Sequence, residues 1–147
     1  MAKKPKGAGK TAKRKVRLAI VCSDFNSEIT GRMLKSAIKR AQNLGAEVVA
    51  TARVPGAYEI PFAIDKLLSR KDIDSAVALG TVIKGETEHD KVITVAICKS
   101  LLDISLRHKK SVGLGISGPG ITWKQAVLRI DDYAHRSVEA AVRMAKE

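Results

Sequence analysis

From Val16 onward the apolar and polar positions fall into two alternating regimes. Short, nearly unbroken apolar runs at residues 16–22, 46–54, 75–80 and 111–116 are rich in β-branched residues and predict four buried strands. Between them, apolar residues recur every three or four positions and predict helices. The first puts Ile29, Met33, Ala37, Ile38 and Ala41 on one face, with Asn26 or Ser27 to cap its start and Gly45 its end. The second lies near residues 59–69, where Pro61 fits only a first turn. A third runs from about residue 87 to 108. The last starts at Thr122, where Thr122 and Gln125 form a capping box, and turns Trp123, Ala126, Val127, Ile130, Ala134, Val138 and Val142 inward.

This order is β-α four times over, with short connections. Parallel strands joined by right-handed helical crossovers satisfy it, and unbroken apolar strands imply helices on both faces. The expectation is an α/β domain over residues 16–147, a three-layer α/β/α sandwich on a four-stranded parallel sheet, without internal repeat or linker. Ligands of such sheets bind beyond the carboxyl ends of the strands. Function is therefore expected at residues 23–27, 55–61, 81–90 and 117–122.

Charge changes this picture little. The net charge is +12, but residues 1–15 hold seven Lys or Arg and no acid, leaving +5 for the rest. That stretch reads as a disordered basic tail, and polyanion binding through it as nonspecific. Five aromatic residues in 147 argue against stacking platforms for single-stranded nucleic acid. No apolar run approaches the roughly 18 residues that span a bilayer. Two cysteines make neither a disulfide framework nor a complete structural zinc site, and no apolar segment follows the basic start, so a cytoplasmic protein is expected.

Most motif matches have plain explanations. Gly7-Ala8-Gly9-Lys10-Thr11 lacks the earlier glycine and the preceding strand of a phosphate-binding loop. Gly113-Leu114-Gly115-Ile116-Ser117-Gly118 fits a dinucleotide fingerprint, but no later strand carries the ribose-binding acid. The glycines read instead as a place where backbone approaches backbone. Cys22 and Cys98 read as small buried hydrophobes, and His108 and His135 as solvated surface. His89 differs. It falls in Lys84-Gly85-Glu86-Thr87-Glu88-His89-Asp90, after the third strand and in the first turn of a helix. There an imidazole can exchange protons near neutral pH, beside backbone N–H groups free to take an anion. Val54-Pro55-Gly56-Ala57-Tyr58-Glu59-Ile60-Pro61 is a rigid loop entering a helix. Its Glu59 is either a first-turn acid or a carboxylate that recognises a polar ligand edge.

Together these segments resemble the lumazine synthase (6,7-dimethyl-8-ribityllumazine synthase) family over about residues 16–145. Phe25-Asn26 resembles its Phe-Asn after the first strand. The proline-glycine loop is similar to its Val-Pro-Gly-Ala-aromatic-Glu-Ile-Pro, and Ala78-Leu79-Gly80-Thr81-Val82-Ile83-Lys84-Gly85-Glu86-Thr87-Glu88-His89 to its Ala-Leu-Gly-x-Val-Ile-x-Gly-x-Thr-x-His. Gln125-Ala126 followed by Arg129 resembles its last helix, and Gly115-Ile116-Ser117-Gly118-Pro119-Gly120 looks closest to archaeal members. The resemblance implies a flavodoxin-like fold and the condensation of 5-amino-6-(D-ribitylamino)uracil with 3,4-dihydroxy-2-butanone 4-phosphate, without metal or organic cofactor. It implies that Phe25 stacks on the pyrimidine, and that the backbone around Ala57, Tyr58 and Glu59 and at Thr81, Val82 and Ile83 holds the uracil edge. Glu59 would also contact the ribityl chain, Glu86 and Thr87 would hold the phosphate, and His89 would move protons. Arg129 and Leu114 would come from a neighbouring subunit of an obligate homo-oligomer, a pentamer or a shell of twelve pentamers.

This sequence departs from the family at Asp24, where many members are basic, and at Leu114, where Phe is frequent. It also lacks the lysine-rich pattern after Arg129. Competing readings are a nucleic-acid-binding module built on the basic tail, the related archaeal-type riboflavin synthase, and a shell without catalysis. The intact His89, Phe25 and Arg129 and the 55–59 loop favour the synthase.

Overall fold

The computed structural model describes residues 14–147. The basic segment, apart from Arg14 and Lys15, lies outside the described residues, as does the Gly-Lys-Thr motif within it. The strands are β1 (Arg17–Ser23), β2 (Glu47–Val54), β3 (Ser75–Ile83) and β4 (Val112–Ile121). The helices are α1 (Ser27–Asn43), α2 (Ile60–Leu68), α3 (His89–His108), α4 (Trp123–Leu128) and α5 (Ile130–Ala145), with a 3-10 turn at Ala57–Glu59 before α2. All pairings are parallel and the strand order is β2-β1-β3-β4. The chain reverses direction across the sheet between β1 and β3, the place where an open parallel sheet leaves a crevice.

The period-two geometry of the central strands splits the core into two layers. Leu18, Ile20 and Cys22 of β1, with Val77 and Leu79 of β3, pack under Ile29, Met33 and Ala37 of α1 and Ala134, Val138 and Ala141 of α5. Ala19, Val21, Ala76 and Ala78 face the other way, onto Ile60 and Ile64 of α2 and Ile97 and Leu101 of α3. Burial of both faces explains why these strands read as unbroken apolar runs. The edge strands β2 and β4 are only partly covered.

Several expectations need correcting. The third strand continues through Thr81, Val82 and Ile83, and the fourth through the Ser117-Gly118-Pro119-Gly120 stretch taken for a loop. As a sheet edge, β4 tolerates proline without losing a ladder bond on both sides. The last helix is two helices: α4 carries the Thr122–Gln125 capping box, and the chain breaks at Arg129. Trp123 is not turned inward but is 43% exposed. His108 is not solvated; its Nε2 lies 2.7 Å from Asp65 Oδ1, while His135 is half-buried. Asn26 takes the N-cap position of α1 in a left-handed conformation (φ 64°), without a capping side-chain bond.

The start of β3 is fastened to the start of β1 by Asp74. Its Oδ2 accepts from the Arg17 N–H (2.8 Å) and Arg14 Nη1 (3.0 Å), and its Oδ1 from Arg17 Nη2 (3.0 Å). Burial alone would push this carboxyl up, but the bonds from Arg17 and Arg14 outweigh it and hold it at about 2, below its ordinary 3.8. A depressed carboxyl stabilises the fold above its unfolded value and loses that contribution as pH falls through its folded value. Asp74→Asn is therefore expected to cost at most about 2 kcal/mol at neutral pH. In urea unfolding the gap to the wild type should close between about pH 5 and about pH 2. A gap independent of pH would rule out the ion pairs as its source.

Candidate active site

The carboxyl ends of β1, β2 and β3 and the start of α3 enclose a cavity of about 450 Å³. Phe25 reaches it from the turn after β1, where its N–H donates to the Pro55 carbonyl (3.0 Å) and the Asp24 N–H to that of Val54 (2.7 Å). These bonds lock the ends of β1 and β2 together. Glu59 Oε1 accepts from the Gly56 N–H at 2.9 Å, which holds the loop that presents Ala57 and Tyr58. Thr81, Val82 and Ile83 form the floor. Thr81 is buried, and its hydroxyl accepts from Ser117 Oγ at 2.7 Å, tying β3 to β4 at the site.

The fourth side is the start of α3. Thr87 Oγ1 accepts from the His89 N–H (3.2 Å), and Glu88 pairs with Lys91 (3.0 Å). His89 is exposed to the cavity it lines. Asp90, beside it, is buried; its Oδ2 accepts from the Gly120 N–H at 2.8 Å, so the end of β4 is pinned to the turn that carries the imidazole.

Eight of the expected site residues thus share this cavity: Phe25, Ala57, Tyr58, Thr81, Val82, Ile83, Thr87 and His89. Four do not line it. Glu59 is engaged with Gly56, and Glu86 is exposed just before Thr87. Leu114 stands on the outer edge strand beside Cys98 and Leu101, and Arg129 lies at the α4–α5 break, with Nη1 3.5 Å from the Gln125 carbonyl. Asp90, Ile93 and Trp123 line the cavity without having been singled out for it. Asp90 lies within the 81–90 stretch already marked, whereas Trp123 gave no signal beyond its apolar spacing.

Away from the cavity, Cys22 is buried, with Sγ 3.3 Å from the Thr30 carbonyl. Burial pushes its thiol up, as it does at half-buried Cys98. Neither thiol is poised as a nucleophile.

Residues 15–147 match the family model for 6,7-dimethyl-8-ribityllumazine synthase. The chain belongs to that family. It is 52% identical over 131 residues to the 6,7-dimethyl-8-ribityllumazine synthase of Metallosphaera sedula, covering 89% of this chain and 87% of the relative. The corresponding enzyme of Staphylothermus marinus is 50% identical over 128 residues (87% and 85%), and that of Methanopyrus kandleri 47% over 131 residues (89% and 92%). As a lumazine synthase family member it is an enzyme, a transferase of riboflavin biosynthesis, on the α/β sandwich expected from the sequence. Three of the motifs that suggested the family, Phe25-Asn26, the 54–61 loop and the 78–89 segment, contribute residues to the cavity; the Gln125-Ala126 motif with Arg129 and the 115–120 motif do not. None of its described helices is long and apolar enough to cross a membrane.

Proposed function

We propose that this cavity condenses 5-amino-6-(D-ribitylamino)uracil with 3,4-dihydroxy-2-butanone 4-phosphate, giving 6,7-dimethyl-8-ribityllumazine, phosphate and two molecules of water. The observation that carries the reading is the meeting of Phe25, Ala57, Tyr58, Thr81, Thr87 and His89 around one cavity, in a chain whose relatives bear that enzyme's name.

Phe25 offers an exposed apolar face for the pyrimidine, and the carboxyl ends of β2 and β3 offer backbone groups for its polar edge. Glu59 steadies that loop through Gly56, and its carboxylate is near the ribityl chain in this reading. Glu86 and Thr87, in the turn just before α3, receive the phosphate through backbone N–H groups and the Thr87 hydroxyl rather than through the Glu86 carboxylate. The amine is the substrate's own nucleophile and phosphate is the leaving group, so the protein's main work is to hold two reactants together. His89 moves the remaining protons: off the amine as it adds to the carbonyl, onto the departing hydroxyl, and again at ring closure. Arg129 and Leu114 complete the site from a neighbouring subunit, which makes a homo-oligomer, a pentamer or sixty-subunit shell, obligatory for activity. Their position outside the chain's own cavity supports that reading. So do the exposed apolar side chains of Val92, Val95, Leu102 and Leu106 along α3, which a monomer would leave in water. The basic segment contributes at most nonspecific polyanion affinity, and two free thiols fit a reducing cytoplasm.

The deciding experiment mixes the full chain with both substrates and follows the lumazine by absorbance and fluorescence. Turnover well above the uncatalysed rate is expected; a folded oligomer without turnover would sink the reading. His89→Ala should lower kcat about 10- to 100-fold and leave both KM values nearly unchanged, because orientation survives loss of the proton carrier. A variant as fast as the wild type would remove His89 from the mechanism.

A further inference from the structure

Three of the chain's five aromatic side chains, Phe25, Tyr58 and Trp123, line the same cavity. Strand order separates them. Phe25 follows β1 and Tyr58 follows β2, whereas Trp123 follows β4, on the far side of β3. Its position there is fixed on both flanks. Ile121 is paired with Ile83, and its carbonyl accepts from the Lys84 N–H at 2.8 Å. The next residue, Thr122, is held by the reciprocal bonds of its capping box with Gln125 (3.0 and 3.2 Å). Trp123 therefore flanks the Lys84-Gly85 turn that leads to Thr87 and His89. It is the only tryptophan, it is 43% exposed, and its indole N–H has no acceptor among the described residues. Such a side chain combines a flat apolar face with an unspent donor.

Resting on the function proposed above, we propose that Trp123 holds the phosphorylated four-carbon substrate. Its indole face lies along the carbon chain, and Nε1–H donates to a phosphate oxygen. The cavity then has an aromatic group at each end: Phe25 for the pyrimidine and Trp123 for its partner.

Two variants separate the two contributions. Trp123→Phe keeps an aromatic face and loses the donor; Trp123→Leu loses the ring as well. Steady-state kinetics should show the KM for the butanone phosphate rising about 3- to 10-fold in Trp123→Phe and further in Trp123→Leu. The uracil KM and kcat should stay within about twofold. As the sole tryptophan, the residue also reports binding directly. Inorganic phosphate should change wild-type emission saturably, and chloride at matched ionic strength should not. Unchanged KM values in both variants, a rise confined to the uracil substrate, or emission indifferent to phosphate would each overturn the proposal. Absence of turnover in the wild type would sink the proposed function, and the emission titration would still decide whether Trp123 meets phosphate.

Discussion

Gly113→Ala is expected to lower Tm by about 10 °C or to abolish soluble expression, the largest stability effect of any single methyl group in this chain. A β-carbon built on Gly113 overlaps the backbone carbonyl of Ser137 in α5 and lies 3.3 Å from the Ala141 β-carbon. The clash is with main chain, so a rotamer change cannot relieve it; α5 would have to lift from β4. That opens the layer where Val138 and Ala141 are fully buried, at a cost above about 3 kcal/mol. Gly115 lies in the same seam, its added β-carbon 2.7 Å from Leu79 Cδ2 and 2.9 Å from the Ala78 carbonyl. Gly31→Ala is the control, since its β-carbon meets nothing within 4 Å and the residue sits inside α1. It should leave Tm unchanged or raise it slightly. A Gly113→Ala protein melting with the wild type would show that helix and strand do not approach this closely.

The same glycines show where the sequence was legible. Gly113-Leu114-Gly115 matched a nucleotide fingerprint on paper, but its missing partners pointed to close backbone packing, which is how it is used. Both layers of the core were readable because apolar runs and helical spacing are local. The errors arose where local chemistry and tertiary context disagree. Ser117-Gly118-Pro119-Gly120 has loop composition, yet at an open sheet edge it continues a strand. The break at Arg129 left no trace, because Ala126 and Ile130 are both buried at the four-residue spacing that one helix would give. Periodicity placed Trp123 in the core for the same reason. Of the site, the motif loops were visible as composition at strand ends. The pin from Asp90 to Gly120 was not, since it joins residues 30 apart in the chain.

Arg129→Ala should raise the KM for the butanone phosphate by about 30- to 1,000-fold, the range for removing one partner of a charge-assisted contact to a desolvated anion. The uracil KM should move little, and an equal rise in both would count against a phosphate contact. The position of Arg129 turns this into a test of assembly. The residue is exposed at the α4–α5 break and absent from its own chain's cavity. If each site borrows the guanidinium from the next subunit of a ring, a His89→Ala subunit can lend its intact Arg129 to a neighbour whose His89 is intact. Mixing the two variants under conditions that exchange subunits should then restore activity neither shows alone. In a cyclic ring assembled at random from equal parts, roughly a quarter of the sites are complete. A monomeric site would gain nothing from mixing, because every chain would still lack either its proton carrier or its cation. Recovery that tracks subunit exchange would therefore establish together that Arg129 acts in trans and that the contact between subunits is part of the active site.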